Sequence, residues 1–382
     1  MPPEIYRAAS TFPPPNATKI LQYADLCVTL TYCEQPNYYT HMKKLAFGID
    51  IGGINTAFGL VDEKGDLYAE SVISTKAYPW FKDYESYVND LCDAMKTLAD
   101  SVNFDFELIG IGIGAPNANY YKGTIETPAN LWKFTDEDKG KPESLRIFDF
   151  AGDMRKHFPN TPIYVTNDAN AATIGEMVYG NAKGMKDFIM ITLGTGVGSG
   201  IVVNGQMVYG HDGFAGELGH VIMKRNNGRI CGCGRTGCLE TYASATGVAR
   251  TAREFLEARA NEPSTLRSMD VDSITSKDVY DAAVAGDKLA KDVFDFTGNI
   301  LGEALADFIT FSSPEAIVLF GGLAKSGDLL MRPLKESMDR NTMTVFKGKV
   351  KLLLSELKES DAAVLGASAL GWEAKAAADI KK

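Results

Sequence analysis

One local pattern occurs twice in this chain, at positions about 140 residues apart. Leu45–Ile51 is an apolar run of strand length, and it is followed by a Gly52-Gly53 turn, an alternating strand and a hairpin. Phe188–Leu193 opens the same series, followed by the glycine turn Gly194–Gly198 and the hairpin pair Asn204-Gly205. An Asn-Gly pair between two strands strongly favours a two-residue turn. The repetition predicts two related lobes that arose by duplication at domain scale.

The rest of the body alternates between strand and helix patterns. Short apolar runs of strand length predict buried strands at Leu108–Gly114, Ile163–Thr166 and Ala316–Phe320. Apolar residues at helical spacing predict helices at Tyr84–Val102, Ala169–Tyr179, Gly298–Phe311 and Ser360–Ala378. Strands that alternate with helices are typical of an α/β fold.

The composition excludes several classes of protein. The 382 residues include 39 basic and 49 acidic side chains, a net charge of −10, which argues against a nucleic-acid or anionic-membrane surface. No apolar run reaches the roughly 20 residues of a membrane helix. Six cysteines are too few for a disulfide scaffold in a chain of this length. With no signal peptide recognisable, we expect a cytoplasmic protein.

The first residues differ from the body. Five prolines lie between Met1 and Asn16, and no hydrophobic period is present. Met42-Lys43-Lys44 then precedes a clean strand. We expect residues 1–43 to be an extension that is dispensable and disordered; the alternative is a short ordered arm packed on the body.

The two glycine turns are candidate phosphate sites. Backbone amides at Gly52 and Gly53 can approach an anion closely, and the acidic Asp50 at the strand end suits a hydrated Mg²⁺. Taken alone, this motif is better explained as a tight hairpin turn with a capping Asp. Together with Gly194–Gly198, it suggests two hairpins that hold the phosphates of a nucleotide from both sides.

The sharpest local signal is a cluster of three cysteines. Cys231, Cys233 and Cys238 have spacings that suit a tetrahedral zinc ion, and His220 is a candidate fourth ligand. Three free buried thiols are the alternative. The spacings of one and four residues exclude a redox Cys-x-x-Cys pair.

Four polar residues around these motifs are candidates for binding polyols or for acid–base chemistry. Glu217 precedes His220, and Glu240 directly follows the cysteines. Asn167 and Asp168 follow a buried strand, where helix capping by Asp168 and proton acceptance by an ionised Asp168 are both open. Capping or a solvated surface is the alternative for Glu217 and Glu240.

Taken together, these motifs resemble the ROK family of repressors and sugar kinases, and most closely its bacterial glucokinases. The resemblance covers roughly Lys44 to Gly371. It implies two ribonuclease-H-like lobes of the actin-like ATPase superfamily, with an active-site cleft between them. The lobes would be residues 44–167 plus 360–382 and residues 168–359, the second carrying structural zinc.

The resemblance also implies a reaction and its residues. ATP with Mg²⁺ would phosphorylate the 6-hydroxyl of a hexose, most simply glucose, with Asp168 as the base. Sugar contacts would come from Asn130, Asn167, Glu217, His220 and Glu240. ATP contacts would come from Asp50, Gly52, Gly53, Asn55, Thr56, Gly194, Thr195, Gly196, Gly321 and Gly322. Family members are commonly dimers or tetramers.

The chain departs from the family pattern at Ile54, where a threonine is usual. The change removes a hydroxyl near the phosphates, so ATP use would be weakened unless Asn55 or Thr56 supplies one. The loop before Trp132 also differs, since Asn130 follows Pro-Ala where the family tends to have Ala-Pro. The remaining alternatives are a kinase for N-acetylmannosamine or fructose, a non-catalytic sugar-binding protein and a sugar-responsive repressor.

Overall fold

The computed structural model describes the backbone of residues 5–6 and 42–380, and the side chains of residues 42–358 and 362–372. The strands are β1 (Ile5–Tyr6), β2 (Lys43–Ile51), β3 (Thr56–Val61), β4 (Leu67–Ile73), β5 (Phe106–Gly114), β6 (Ala118–Asn119), β7 (Thr124–Glu126), β8 (Ile147–Phe148), β9 (Ile163–Thr166), β10 (Phe188–Leu193), β11 (Val197–Val203), β12 (Gln206–Met207), β13 (Ala316–Phe320) and β14 (Lys351–Leu354). The helices are α1 (Tyr84–Asp100), α2 (Phe150–His157), α3 (Asp168–Tyr179), α4 (Glu240–Ala243), α5 (Ala245–Ala258), α6 (Ser276–Val284), α7 (Lys288–Ser312), α8 (Asp328–Asn341) and α9 (Glu359–Ile380).

The two main sheets have the same topology. In the first, the order is β4-β3-β2-β5-β9; β2 is antiparallel to β3 and parallel to β5, which is parallel to β9. In the second, the order is β12-β11-β10-β13-β14, with the same sequence of antiparallel and parallel pairs. The α/β fold class is confirmed, and the strand unit that the sequence repeats recurs in both sheets.

The hairpin in the second sheet shows why the Asn-Gly signal was strong. Asn204 has a φ of 53° and Gly205 a φ of 74°, so both central residues lie in the left-handed region that a type I′ turn requires. The backbone amide of Gly205 donates to the carbonyl of Lys186 at 2.7 Å. This turn fixes the register of β11 against β12.

Several element boundaries differ from the sequence-based prediction, and two helix starts have a clear physical reason. Helix α7 begins at Lys288, ten residues before the predicted start, because Leu289, Val293 and Phe294 continue its buried stripe toward the N-terminus. Helix α3 begins at Asp168, and its N-cap is Asn167, whose side chain accepts from the amide of Ala169 at 2.9 Å. Asp168 is therefore the first helical residue, and of the Asn167-Asp168 pair it is Asn167 that caps the helix.

Helix α9 packs directly on the first sheet. A Cβ atom on Gly48 would overlap the carbonyl oxygen of Val364, and one on Gly112 would overlap that of Ala367. Helices α3 and α9 also meet at glycines, where Gly175 lies against Gly366. Since α3 contacts both β5 and β11, these helices join the two sheets.

The lobe boundaries given above stay a proposal, supported by the packing of α9 on β2 and β5. Ile5–Tyr6 pairs antiparallel with the start of β5, at Phe106 and Glu107. Residues 7–41, which carry most of the proposed extension, lie outside the described residues. In the described part of the chain, no helix is both long and apolar enough to span a membrane.

We predict that Gly112→Ala lowers the free energy of unfolding by about 2 to 3 kcal/mol, because a backbone carbonyl blocks the added methyl group. Chemical denaturation followed by circular dichroism measures the change. Gly194→Ala is the matched control, since a Cβ there meets no atom within 4 Å. Equal stability of the two variants would contradict the close packing of α9.

Candidate active site

Three parallel strands of the first sheet deliver polar residues to one edge. Asp50 lies near the end of β2, Asn117 follows the end of β5, and Asn167 follows the end of β9. Asp50 pairs in register with Gly114, and a Cβ on Gly114 would lie 3.5 Å from the Cα of Asp168. The carboxyl ends of parallel strands are where α/β folds bind ligands.

A cavity of about 410 Å³ opens at this edge, between the first sheet and the β10–β11 turn. Polar side chains from both halves of the chain line it: Asn117, Asn167, Asp168, Glu217, His220 and Glu240. All the predicted sugar-binding residues except Asn130 thus lie around one cavity.

Asp168 lies at the first turn of α3 and faces this cavity. Its Oδ1 accepts from the backbone amide of Ala169 at 2.7 Å. The surrounding protein partly desolvates the Asp168 carboxyl and raises its pKa, and the hydrogen bond from Ala169 opposes that shift. The side chain itself stays exposed to the cavity. A carboxylate with a raised pKa accepts a proton more readily than an ordinary one.

Asp50 lies close enough to Asp168 for the two carboxyl groups to repel each other. Burial first, and then the charge of Asp168, raise the pKa of Asp50 to about 7. A divalent cation bound beside Asp50 would remove this cost, and carboxylate oxygen is a ligand that Mg²⁺ prefers. The donor set at Asp50 therefore fits Mg²⁺.

The side chain of Glu240 contacts the second glycine turn and fixes it. The Oε2 atom of Glu240 accepts from the amide of Val197 at 3.1 Å and occupies the position that a Cβ on Gly196 would take. The carbonyl of Gly194 accepts from the amide of Ala245 at 2.9 Å, which ties the turn to the start of α5. Within the turn, the amide of Gly194 donates to the carbonyl of Gly196 at 3.1 Å, while the amides of Thr195 and Gly196 donate to no described backbone carbonyl.

A second cavity, of about 460 Å³, lies beyond this turn. It shares Leu193, Gly194 and Thr195 with the first cavity. Its other polar and aromatic lining comes from Ser276, Lys277, Tyr280, Lys325 and Ser326. Gly321 lines the first cavity and Gly322 the second, so this glycine pair lies between them.

The cysteines and His220 form a compact ligand cluster. Their four candidate ligand atoms lie within 4.8 Å of one another. Cys233 Sγ and Cys238 Sγ are 3.7 Å apart, and Cys231 Sγ is 3.6 Å from His220 Nδ1. A tetrahedral ion with bonds of about 2.3 Å to sulfur and 2.0 Å to nitrogen has edges of about 3.8 and 3.5 Å. The cluster therefore fits a tetrahedral metal ion.

This cluster is connected to the cavity through two side chains. With Nδ1 of His220 turned toward the sulfur atoms, its Nε2 lies 4.0 Å from Glu217 Oε2. The Cys231 thiol lies 3.6 Å from Glu240 Oε1. Arg229 fixes the loop that carries the cysteines, since its buried guanidinium donates to Glu254, Thr251 and the Thr241 carbonyl. A bound ion would hold His220 and Glu240 in place.

Several predicted residues lie elsewhere. Asn130 is exposed and lies against Gly53, outside the lining of the cavity, so the structure does not bring it to the other sugar candidates. The first glycine turn also lies outside the linings of both cavities and closes on itself, with the Gly52 amide donating to the Asn55 carbonyl at 3.0 Å.

Thr56 does not supply the hydroxyl that Ile54 removes. Its side chain is fully buried, and its Oγ1 lies 2.8 Å from the hydroxyl of Thr75 and 2.7 Å from that of Tyr87. Alternation along β3 points this side chain to the core. The prediction that the Thr56 hydroxyl replaces the missing one is not supported, whereas Ile54 itself is 68% exposed.

Asn117 lines the cavity and is not among the site residues predicted from the sequence. Its φ is 54°, and its side-chain amide donates to the carbonyl of Thr127 at 3.2 Å. Asn tolerates this left-handed conformation better than most residues. One feature of the sequence could have indicated Asn117 as a site residue. It directly follows Gly114-Ala115-Pro116 at the end of a buried strand, where ligand contacts are expected.

Known proteins are similar to this chain in sequence and in fold over most of the body. Residues 46–374 match the ROK family. The chain belongs to this family. A glucokinase of Halalkalibacterium halodurans is 35% identical over 331 residues, 86% of this chain and 94% of that protein. A glucokinase of Streptomyces coelicolor is 32% identical over 300 residues, 78% of this chain and 87% of that protein.

A solved structure of the ROK family agrees with these relatives. It is a glucokinase from Streptomyces griseus in complex with glucose and AMPPNP. It has a TM-score of 0.68 and 30% identity with this ROK protein, over 86% of this chain and 99% of that one. The two-lobed actin-like fold predicted from the motifs is thereby confirmed.

We predict that the purified ROK protein retains one divalent metal ion per chain after dialysis against a mild chelator, since four ligands enclose the site. Cys238→Ala should lower the content to well below one ion. Metal analysis by mass spectrometry measures it. Cys92→Ala, which removes a buried thiol outside the cluster, should keep the full content. Metal-free parent protein would contradict the cluster assignment.

Proposed function

We propose that this ROK-family protein transfers the γ-phosphoryl group of ATP to the 6-hydroxyl of glucose. The observation that carries the proposal is the pair of adjoining cavities, which meet at Gly194 and Thr195 and have Asp168 in one of them. A sugar in the first cavity and a nucleotide in the second would bring acceptor and donor together at this turn. The glucokinase relatives and the glucose–AMPPNP complex support the choice of substrates.

The polar wall of the first cavity suits a hexose. Asn117 and Asn167 offer amide groups, while Glu217 and Glu240 offer acceptors. His220 presents Nε2 toward Glu217, as a donor or an acceptor according to its tautomer. Each sugar hydroxyl needs both a donor and an acceptor, and this set supplies both. Asn130, if it contacts the sugar, would do so only after the lobes close.

Asp168 is the proposed catalytic base. A sugar hydroxyl is a weak acid, so its proton must pass to a carboxylate as the new P–O bond forms. The raised pKa of Asp168 makes it a better acceptor, and the amide of Ala169 keeps one of its oxygens in place. The second oxygen would then point at the hydroxyl.

The glycine turns would hold the phosphates. The amides of Thr195 and Gly196, which donate to no described backbone carbonyl, would stabilise charge that develops on the transferred group, which is the main task in phosphoryl transfer. Mg²⁺ bound near Asp50 would neutralise charge on the phosphates. Closure of the lobes would bring Gly52, Gly53 and Asn55 to the same phosphates and exclude water.

The Cys₃His cluster is proposed to bind zinc in a structural role. Four protein ligands leave no open position for water on a tetrahedral ion. His220 and Glu240 keep their places in the cavity wall because the cluster and the Val197 amide hold them. Assembly as a homodimer or homotetramer belongs to the same proposal and rests on the family resemblance alone.

We predict that Asp168→Asn lowers kcat by about 10²- to 10⁴-fold, because the amide cannot take the hydroxyl proton. Glucose affinity, measured by calorimetry, should change by only a few-fold. A coupled assay of ADP release measures turnover, and Asp93→Asn on the exposed face of α1 is the control. Turnover within about tenfold of the parent would reject Asp168 as the base.

The sugar is identified by running the same assay over glucose, fructose, mannose and N-acetylmannosamine. We expect the highest kcat/KM for glucose. A clear preference for another sugar would keep the kinase and change its substrate. No turnover of any sugar, together with tight binding of duplex DNA, would favour the repressor alternative.

We predict that Ile54→Thr lowers the KM for ATP by about three- to tenfold, because it restores a hydroxyl that neither Ile54 nor the buried Thr56 provides. The KM for glucose should not change. Ile54→Val, which trims the side chain and adds no hydroxyl, is the matched control. If both variants behave like the parent, backbone amides or Asn55 already satisfy the phosphates.

A further inference from the structure

A third cavity lies behind the sugar cavity, on the outer side of the metal cluster. Its volume is about 300 Å³, and its lining is Glu217, His220, Val221, Ile222, Arg225 and Arg235. Glu217 and His220 line the sugar cavity as well. The two spaces therefore adjoin at the side chains that the proposed function assigns to the sugar.

The two arginines of this third cavity are unusual among the described residues. Every other arginine in the described part of the chain donates a side-chain hydrogen bond to a carboxylate, a carbonyl, an amide or a hydroxyl oxygen. Arg225 and Arg235 make no side-chain hydrogen bond or ion pair with any described residue, and Arg235 acts on the nearby Cys233 and Cys238 thiols through its charge alone. In a chain with a net charge of −10, two guanidinium groups whose donors are free at one cavity favour an external anion.

The sugar would present one particular edge to this cavity. Asp168 lines the sugar cavity and not the third cavity, whereas Glu217 and His220 line both. With its 6-hydroxyl at Asp168, a hexose in the pyranose form has C2 opposite C5, and C1 and C3 flank C2 on the far side of the ring. In the orientation that places C1 beside Glu217 and His220, a substituent on C1 would extend toward Arg225 and Arg235.

We propose that the third cavity binds a phosphate group carried on C1 of the sugar, so that the protein also phosphorylates hexose 1-phosphates at the 6-hydroxyl. This inference rests on the proposed function, since it uses the same base and the same donor. In the step, O6 bonds to the γ-phosphorus of ATP as the bond to the β–γ bridging oxygen breaks. The O6 proton passes to Asp168, and the products are ADP and a hexose 1,6-bisphosphate.

The chemistry of the lining favours phosphate over a neutral substituent. Guanidinium groups bind phosphate oxygens through paired hydrogen bonds and remain charged at any physiological pH. Glu217 is the one carboxylate of the lining, and His220 Nε2 lies 4.0 Å from it. Neither guanidinium group is hydrogen-bonded to a described carboxylate, so the donors of both remain available to an anion.

The test uses the full-length, metal-loaded protein with ATP and α-D-glucose 1-phosphate. We expect ADP release and a new bisphosphate signal by phosphorus nuclear magnetic resonance. The double variant Arg225→Gln/Arg235→Gln should lower kcat/KM for glucose 1-phosphate by about 10- to 100-fold. Its kcat/KM for glucose should stay within about threefold of the parent.

Arg332→Gln is the matched control, because it removes the same charge at an exposed ion pair with Asp295 on the far helix α8. It should leave both substrates unaffected. If the double variant slows glucose and glucose 1-phosphate equally, the arginines only support the fold, and the proposal is overturned. Failure of glucose 1-phosphate to be phosphorylated by the parent overturns it as well.

Calorimetry without ATP separates this proposal from the proposed function. If glucose itself is not phosphorylated, the kinase proposal fails, and the new activity fails with it. Glucose 1-phosphate could still bind in that case. If the double variant abolishes this binding, the anion site lies at Arg225 and Arg235. Inorganic phosphate is the second probe. If the parent binds phosphate but glucose 1-phosphate and glucose do not compete for one site, the anion site is separate from the sugar site. That result would overturn the claim that glucose 1-phosphate is a substrate.

Discussion

Helix α3 packs so closely on α9 that their contact is made at glycines, and the position of the site depends on this close packing. Gly175 of α3 lies against Gly366 of α9, and α9 in turn lies on Gly48 and Gly112 of the first sheet. The helix also contacts β11 of the second sheet. Its first residue, Asp168, is therefore placed with respect to both sheets by backbone packing, which is stiffer than side-chain contact.

The second constraint is the loop that contains the metal ligands. Cys231, Cys233, Cys238 and His220 come together over a short stretch of chain, and Glu240 connects this cluster to the amide of Val197 beside the second glycine turn. The sugar wall and the phosphate turn are therefore parts of one rigid unit. Such a unit can keep hydroxyl-binding groups in position while the lobes move.

Electrostatics divides the site into two regions. Asp50 and Asp168 are close enough that burial and mutual repulsion raise the pKa of Asp50 to about 7, which suits a place where a cation and a transferable proton are handled. Near Glu217 and His220, the guanidinium groups of Arg225 and Arg235 carry positive charge and make no hydrogen bond to a described carboxylate. A ligand with an anion at one end would complement the second region, and the nucleotide with its metal would complement the first.

Patterns along the chain were enough to predict the duplicated α/β lobes, the zinc-type ligand set and most of the sugar candidates, because turns, strand runs and ligand spacing are local properties. They failed where position depends on distant segments. Whether the Thr56 hydroxyl faces the nucleotide or Tyr87 depends on how β3 packs on α1, and the place of Asn117 depends on which strand ends share an edge. The third cavity likewise could not be predicted from the sequence, because the packing of the loops decides that Arg225 and Arg235 lie beside His220.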